Sequence, residues 1–368
     1  MSGPGPALRG LSAAELAAAC GELAAWRGAV VLDAVPLDIR QAAGEWRFAA
    51  GALDLTGTSF TLEDRQESDR FKPLEARGAV LTLADNRITS AFDLLHPASG
   101  RRVTEVTLVH DLSDATGHAN IALPGITFGP GFQPRELSEL AYGVVSVVEG
   151  TVTGQGRVDW NPQTVTSSGA FSTDNLNLAA AFGPVQGARG TVVFTDLLNL
   201  TTAPGQRVEV DAINPGIEIN DGVVLFSLTD GTRLMLEGAE WPFLGGQLTM
   251  QPLLMNIGVA EQRRYVFNIE GLEAARFIER MEMSNLAATG TFDGVLPVVF
   301  DEMGNGRLEG GLLSARPPGG HVSYVGQLTY EDLSFVGNFA FQALRDLNYN
   351  RMEVALDGPL TWALLLAL

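Results

Sequence analysis

Between residues 187 and 258 the chain never holds one pattern for long. Gly187–Gln206 reads GARGTVVFTDLLNLTTAPGQ, Ile213–Leu228 reads INPGIEINDGVVLFSL, and Leu236–Met250 reads LEGAEWPFLGGQLTM. Short runs alternating apolar with polar residues are cut by Asn-Pro-Gly, Asp-Gly and Gly-Gly, steps that favour turns. In a strand, successive side chains point to opposite faces, so alternation buries one face and wets the other. The passage reads as sheet that keeps folding back on itself. Asn214, Pro215 and Gly216 are expected as one of its turns, and Trp241 and Pro242 with Gly245 and Gly246 as another.

The same signature recurs elsewhere. Thr104–Leu112 places Val106, Leu108, His110 and Leu112 on one side. Thr151–Trp160 places Val152, Gly154, Gly156, Val158 and Trp160 on one side and a wholly polar set on the other. Three helices interrupt the strands in this reading. Residues 11–26 carry Ser12 as N-cap with Glu15 completing a capping box. Pro134–Val148 shows an apolar stripe at helical spacing, with Gly150 as its stop. Leu272–Leu286 repeats Ala274, Phe277, Ile278 and Met281 on one face. A fourth candidate lies at Phe339–Leu347, and the charged run Asp64–Lys72 reads as an exposed loop. Long runs of strands between single helices do not match the regular alternation of a parallel doubly wound fold. The expected fold is mainly β: an elongated, twisted antiparallel sheet forming an open groove, with a few short helices. Its expected divisions are 1–130, β-rich with a short N-terminal helix; 131–330, the groove region with helices near 134–148 and 272–286; and 331–368, a C-terminal helix and a truncated strand.

Composition narrows the partners. Asp and Glu total 43 against 24 Lys and Arg, a formal charge of −19, and phosphate backbones need the opposite sign. Nucleic acid is excluded as a partner. The single cysteine, Cys20, excludes an internal disulfide. No apolar run reaches the length of a membrane span, and the N-terminus lacks the basic start and apolar core of a signal peptide. The apolar ending Thr361–Leu368 and the plain start both read as cuts in a longer protein. The four histidines, His96, His110, His118 and His321, show no metal-ligand spacing. Nucleophile-elbow and phosphate-loop motifs are missing. Asp85 with Asp93, and Asp293 with Asp301, have ordinary surface spacing. The expectation is a protein with no catalytic residues, no metal and no cofactor.

Gly190–Leu200 (GTVVFTDLLNL), Thr202–Gln206 (TAPGQ), Ile213–Ile217 (INPGI), Asp221–Val224 (DGVV) and Glu240–Phe243 (EWPF) follow in a fixed order. Gly245–Gly246, Thr289–Phe300 (TGTFDGVLPVVF), Gly306–Gly311 (GRLEGG) and Pro317–Gly320 (PPGG) complete it. This order and spacing resemble the C-terminal half of the YdbH-like branch of the AsmA-like bacterial envelope family. The resemblance is firm over about 185–330. It implies an elongated β-sheet bridging the periplasm, whose groove carries phospholipid acyl chains between inner and outer membranes. It also implies an inner-membrane anchor, absent from this chain, and a small outer-membrane lipoprotein met at the C-terminal end. An older family label, dicarboxylate transport, finds no supporting residue cluster here.

The physics is compatible with that role. Acyl chains lose roughly 0.8 kcal/mol per CH₂ on leaving a bilayer, so a whole tail faces a barrier of order 10 kcal/mol. An apolar groove lowers it, and alternating strands supply one. The expected groove residues are Val152, Val158 and Trp160 on one strand, Leu248 and Met250 on a second, and Tyr265, Phe267 and Ile269 on a third. Pro252 is the weak point, because a one-residue slip there reverses the faces. Trp241 reads either as a rim aromatic meeting headgroups or as a packed corner. Pattern alone also allows a closed sandwich, an adhesive β-solenoid with a filled core, or a carbohydrate-active β-protein.

Overall fold

A computed structural model describes residues 26–32, 37–49, 52–64, 70–139, 145–180, 183–214, 218–257, 261–302, 305–324 and 346–360. The protein is mainly β. One large antiparallel sheet, not closed on itself, takes in nearly all the strands, and a small three-stranded sheet stands beside it. The strand residues within Thr151–Trp160, Gly190–Leu200, Leu248–Ile257 and Tyr265–Ile269 all belong to the large sheet.

Two compact units share the chain, the first holding residues 1–176, 190–206 and 228–232, the second 177–189, 207–227 and 233–368. The first unit opens as a meander: β1 (Trp26–Leu32), β2 (Leu37–Ala49), β3 (Ala52–Asp64), β4 (Leu74–Ala84), β5 (Arg87–Leu95), β6 (Arg102–Asp111), β7 (Thr116–Phe128) and β8 (Val145–Trp160). From β1 to β8 each strand pairs antiparallel with the next. The sheet continues through β9 (Val165–Ala180) and β10 (Gly183–Asp196), which contribute residues to both units. Leu74, Ala76, Leu94 and Val106 form a core cluster, with Phe60, Phe92 and Ala119 against it. The Phe60 and Phe92 rings meet edge to face at 5.2 Å.

After β11 (Thr201–Thr202), the second unit takes most of β12 (Gln206–Ile213) and β13 (Ile219–Thr229) and all that follows: β14 (Arg233–Phe243), β15 (Gly246–Met250), β16 (Leu253–Asn256) and β17 (Arg263–Glu273). Next come a seven-residue helix α1 (Ala274–Arg280), then β18 (Leu286–Ala288), β19 (Thr291–Phe300) and β20 (Gly306–Ala315). The chain closes with β21 (Gly320–Tyr324), β22 (Leu347–Tyr349) and β23 (Glu353–Pro359). Strands β18, β21 and β22 make the small sheet.

Several expectations are corrected. Pro134–Glu136 is one 3-10 turn, and by Val145 the chain is already strand. The segment Val144-Val145-Ser146-Val147-Val148 is dense in β-branched residues, which pack better on a pleated sheet than on a helix. Gln133 fixes this locally: its side chain accepts from Val148 N–H at 2.7 Å and donates to Val148 C=O at 2.8 Å, as a neighbouring strand would. The helix expected over 272–286 shrinks to α1, because residues 271–273 still belong to β17 and 286 already to β18. The helices expected at 11–26 and 339–347 lie outside the described residues but for Trp26, which opens β1, and for Asp346 and Leu347, the latter opening β22.

Of the charged run Asp64–Lys72, expected as an exposed loop, residues 65–69 lie outside the described residues, and its two ends are joined. Asp64 has no exposed side-chain surface and takes a bidentate grip from Arg70, with bonds of 2.7 and 2.8 Å. Asp221-Gly222 is no turn but part of β13, with Asp221 at φ 58. Trp241 and Pro242 lie within β14, and the hairpin to β15 is made by Leu244 and Gly245, at φ 48 and 88. Left-handed conformation at both central positions suits the right-handed twist of the flanking strands. Asn214 follows β12 and donates its N–H to Pro184 C=O at 3.0 Å; Pro215 and Gly216 lie outside the described residues.

Candidate functional site

In antiparallel pairing, residues directly opposite one another share a face. In the first unit this aligns Ser90, Leu108, Ala119 and Val158 across β5 to β8, and beside them Phe92, Val106, Ile121 and Gly156. Val158 is buried, Val152 and Trp160 are half-buried, and Thr151, Thr153, Gln155 and Arg157 on the other face are exposed. The two faces of Thr151–Trp160 thus differ as its alternation requires.

Glycines on this face seat larger neighbours. A Cβ at Gly117 would overlap the Trp160 indole, which lies across it. The Trp160 Nε1–H donates to His110 Nδ1 at 3.1 Å, so that ring nitrogen carries no proton. A Cβ at Gly156 would come 2.6 Å from Leu197 Cδ2, and one at Gly154 would overlap Phe171. The turn after β10 therefore presses Leu197 onto the apolar side of β8. That turn is held by Asp196, which accepts from Ser167 Oγ at 2.7 Å and Asn199 Nδ2 at 2.7 Å, and by Arg70, which donates to Leu198 C=O. Burial pushes the Asp196 carboxyl up, but these hydrogen bonds outweigh it and hold it below its ordinary range.

The second unit carries the wider face. One row runs Trp241, Leu248, Ile269, Gly294, Leu313, Val354 across β14, β15, β17, β19, β20 and β23. Beside it Ala239, Met250, Phe267 and Leu296 line up, and beyond them Tyr265, Val298 and Leu308. Five interstrand steps of roughly 4.8 Å make this face about 24 Å wide. Leu248, Met250, Tyr265 and Ile269 are 2–8% exposed, and Phe267 is half-buried. The opposite row, Thr249, Asn268, Val295 and Leu312, is more open.

Across Pro252 the pairing with β14 keeps its register, Met250 opposite Ala239 and Leu253 opposite Leu236. Leu248 and Met250 face inward before it. After it the Tyr265 hydroxyl reaches the Met255 sulfur at 3.3 Å while Leu254 stands 61% exposed. Burial pushes the Tyr265 phenol above its ordinary range, with the Arg263 charge pulling the other way, so the phenol stays neutral. The five groove residues expected in this unit share one face, and the three expected in the first share another. Leu296, Val298, Leu308 and Leu313 were missed, although the parity of Phe292, Gly294, Leu296, Val298 and Phe300 is visible in the sequence.

Three of the four carboxylates singled out from the sequence, Asp93, Asp293 and Asp301, have structural partners. Asp293 pairs with Arg316 at 2.6 Å and accepts from Gly271 N–H at 2.9 Å, and Asp301 accepts from Asn305 Nδ2 at 2.9 Å. Asp93 sits 3.9 Å from Arg102, and Asp85 occupies a turn at φ 48. Among the described residues no group of three or more His, Cys, Asp or Glu is placed to hold a metal, and no helix is long and apolar enough to cross a membrane.

An open antiparallel sheet with an apolar face in each unit defines a class: mainly-β proteins that present apolar sheet faces. The chain belongs to the YdbH-like family, whose description, intermembrane phospholipid transport protein YdbH, matches residues 10–368. No curated protein and no solved structure matches it. Membership ties the chain to movement of phospholipid between membranes.

Proposed function

We propose that the apolar faces of the two units carry phospholipid acyl chains, without catalysis, as part of a conduit across the periplasm. In the first unit the contact residues are Val152, Val158 and Trp160; in the second they are Leu248, Met250, Tyr265, Phe267 and Ile269. The observation that carries this reading is the register of the second unit, where apolar residues oppose one another strand after strand. Such a face offers a tail a continuous escape from water, which offsets the roughly 0.8 kcal/mol per CH₂ lost on leaving a bilayer. The close packing of Leu248 and Ile269 makes the half-buried Phe267 the readiest point of contact. The family resemblance supplies a membrane anchor and a small outer-membrane lipoprotein as the remaining partners.

Displacement of a fluorescent fatty-acyl probe from the purified chain tests the idea. Phe267→Asp is expected to weaken binding at least about tenfold, because a lone carboxylate in an apolar channel loses hydration without a partner. Asn268→Asp, on the opposite face, is expected to stay within about twofold. Equal affinities in the native chain and both variants would overturn the assignment.

A further inference from the structure

Two tryptophans lie on apolar faces of the sheet, each across a glycine. Trp160 covers Gly117 and finds an acceptor in His110. Trp241 covers Gly222: a Cβ there would fall on the indole Nε1 and Cδ1. Yet Trp241 is only 4% exposed, and its Nε1 has no hydrogen-bond partner among the described residues. A buried donor left unmade costs about 1–3 kcal/mol, and native folds rarely keep one without a reason. Its setting is apolar. Leu248 is its cross-strand neighbour and the Phe267 ring lies 6.3 Å away, tilted at 54°.

We propose that the Trp241 Nε1–H is a binding group for the ester carbonyl oxygen of a glycerolipid whose acyl chain lies along this face. The inference rests on the acyl-chain reading above and adds the polar contact that fixes where along the face a lipid stops. The chemistry selects the carbonyl. Among a phospholipid's oxygens, the ester carbonyls lie nearest the hydrocarbon, so one can meet a donor set among Leu248 and Phe267 while the tail stays buried. A phosphate would bring a full charge into the same place, and one indole N–H does not compensate the desolvation of an anion. A neutral carbonyl asks for one donor and receives one.

Indole ¹H–¹⁵N resonances of the full chain test this, the Trp241 signal being assigned by its loss in Trp241→Phe. Three probes are compared: a short-chain ester-linked phosphatidylcholine, its ether-linked counterpart, and a hydrocarbon of equal chain length. Leucine and isoleucine methyl signals report chain binding independently. All three probes are expected to move the methyl signals, and only the ester lipid to move the Trp241 N–H downfield. The ester lipid should bind roughly tenfold more tightly than the ether lipid, the worth of one hydrogen bond. If ester and ether lipids both shift the N–H and bind equally, the acceptor is the headgroup and the carbonyl assignment falls. Methyl shifts without any N–H shift would overturn the inference and leave the acyl-chain reading standing. An unmoved spectrum with all three probes would remove both. The ester-to-ether ratio is measured on the native chain, so it survives even if Trp241→Phe folds poorly.

Discussion

Single residues decide how tightly the faces close. Glycine is required at 222 because the Trp241 indole occupies the space of a side chain. Gly222→Ala must displace a large buried ring, and overpacking of that kind costs about 1–3 kcal/mol. A matching fall in urea midpoint with an unchanged slope would confirm it, and an unchanged midpoint would not fit. Trp160→Phe keeps the ring over Gly117 but removes the donor to His110, so a smaller loss, about 1 kcal/mol, is expected. Thr58 tests the opposite sign. Its hydroxyl is buried without a partner among the described residues, and its side chain has nearly the shape of valine. Thr58→Val is expected to raise stability by about 1 kcal/mol, read as a higher melting temperature.

Elements are where local pattern met its limits. The alternation of Thr151–Trp160 gave both faces correctly, because nothing inside that strand disturbs its period. The same logic failed at Asp221-Gly222, a dipeptide that suits a turn but serves as the seat of a tryptophan nineteen residues on. That need is tertiary and leaves no mark nearby. The stripe over Pro134–Val148 predicts a helix, but its valines fit a strand as well; from Val145 the chain is strand, and the side chain of Gln133 holds it at Val148 from outside the segment. At Pro252 the slip that the sequence allows does not occur: pairing with β14 runs on in register from Met250 to Leu253. The turn after β10 makes a prediction at this scale. The folded state holds Asp196 below its ordinary range, so the unfolded chain takes up the proton first as pH falls. The contribution is present above the ordinary carboxylate range and is lost as pH drops through the lowered value. Melting temperatures of the native chain and Asp196→Asn should therefore differ at neutral pH and converge in acid. A gap independent of pH would contradict the role of the ionised carboxylate.

The whole molecule carries a formal charge of −19, which repels an anionic bilayer over about a Debye length. Adsorption to vesicles rich in anionic lipid should rise, not fall, as salt is added. A protein held to membranes by basic patches would show the reverse. Lipid contact in this account comes from the apolar faces and not from surface charge, and adjacent positions on one strand separate those two origins. A photo-crosslinker placed at Phe267 looks onto the apolar face; the same group at Asn268 looks out of the back of the sheet. With phospholipid present, the account predicts lipid captured at 267 and none at 268. Equal capture at both positions, or none at either in a folded chain, would contradict it.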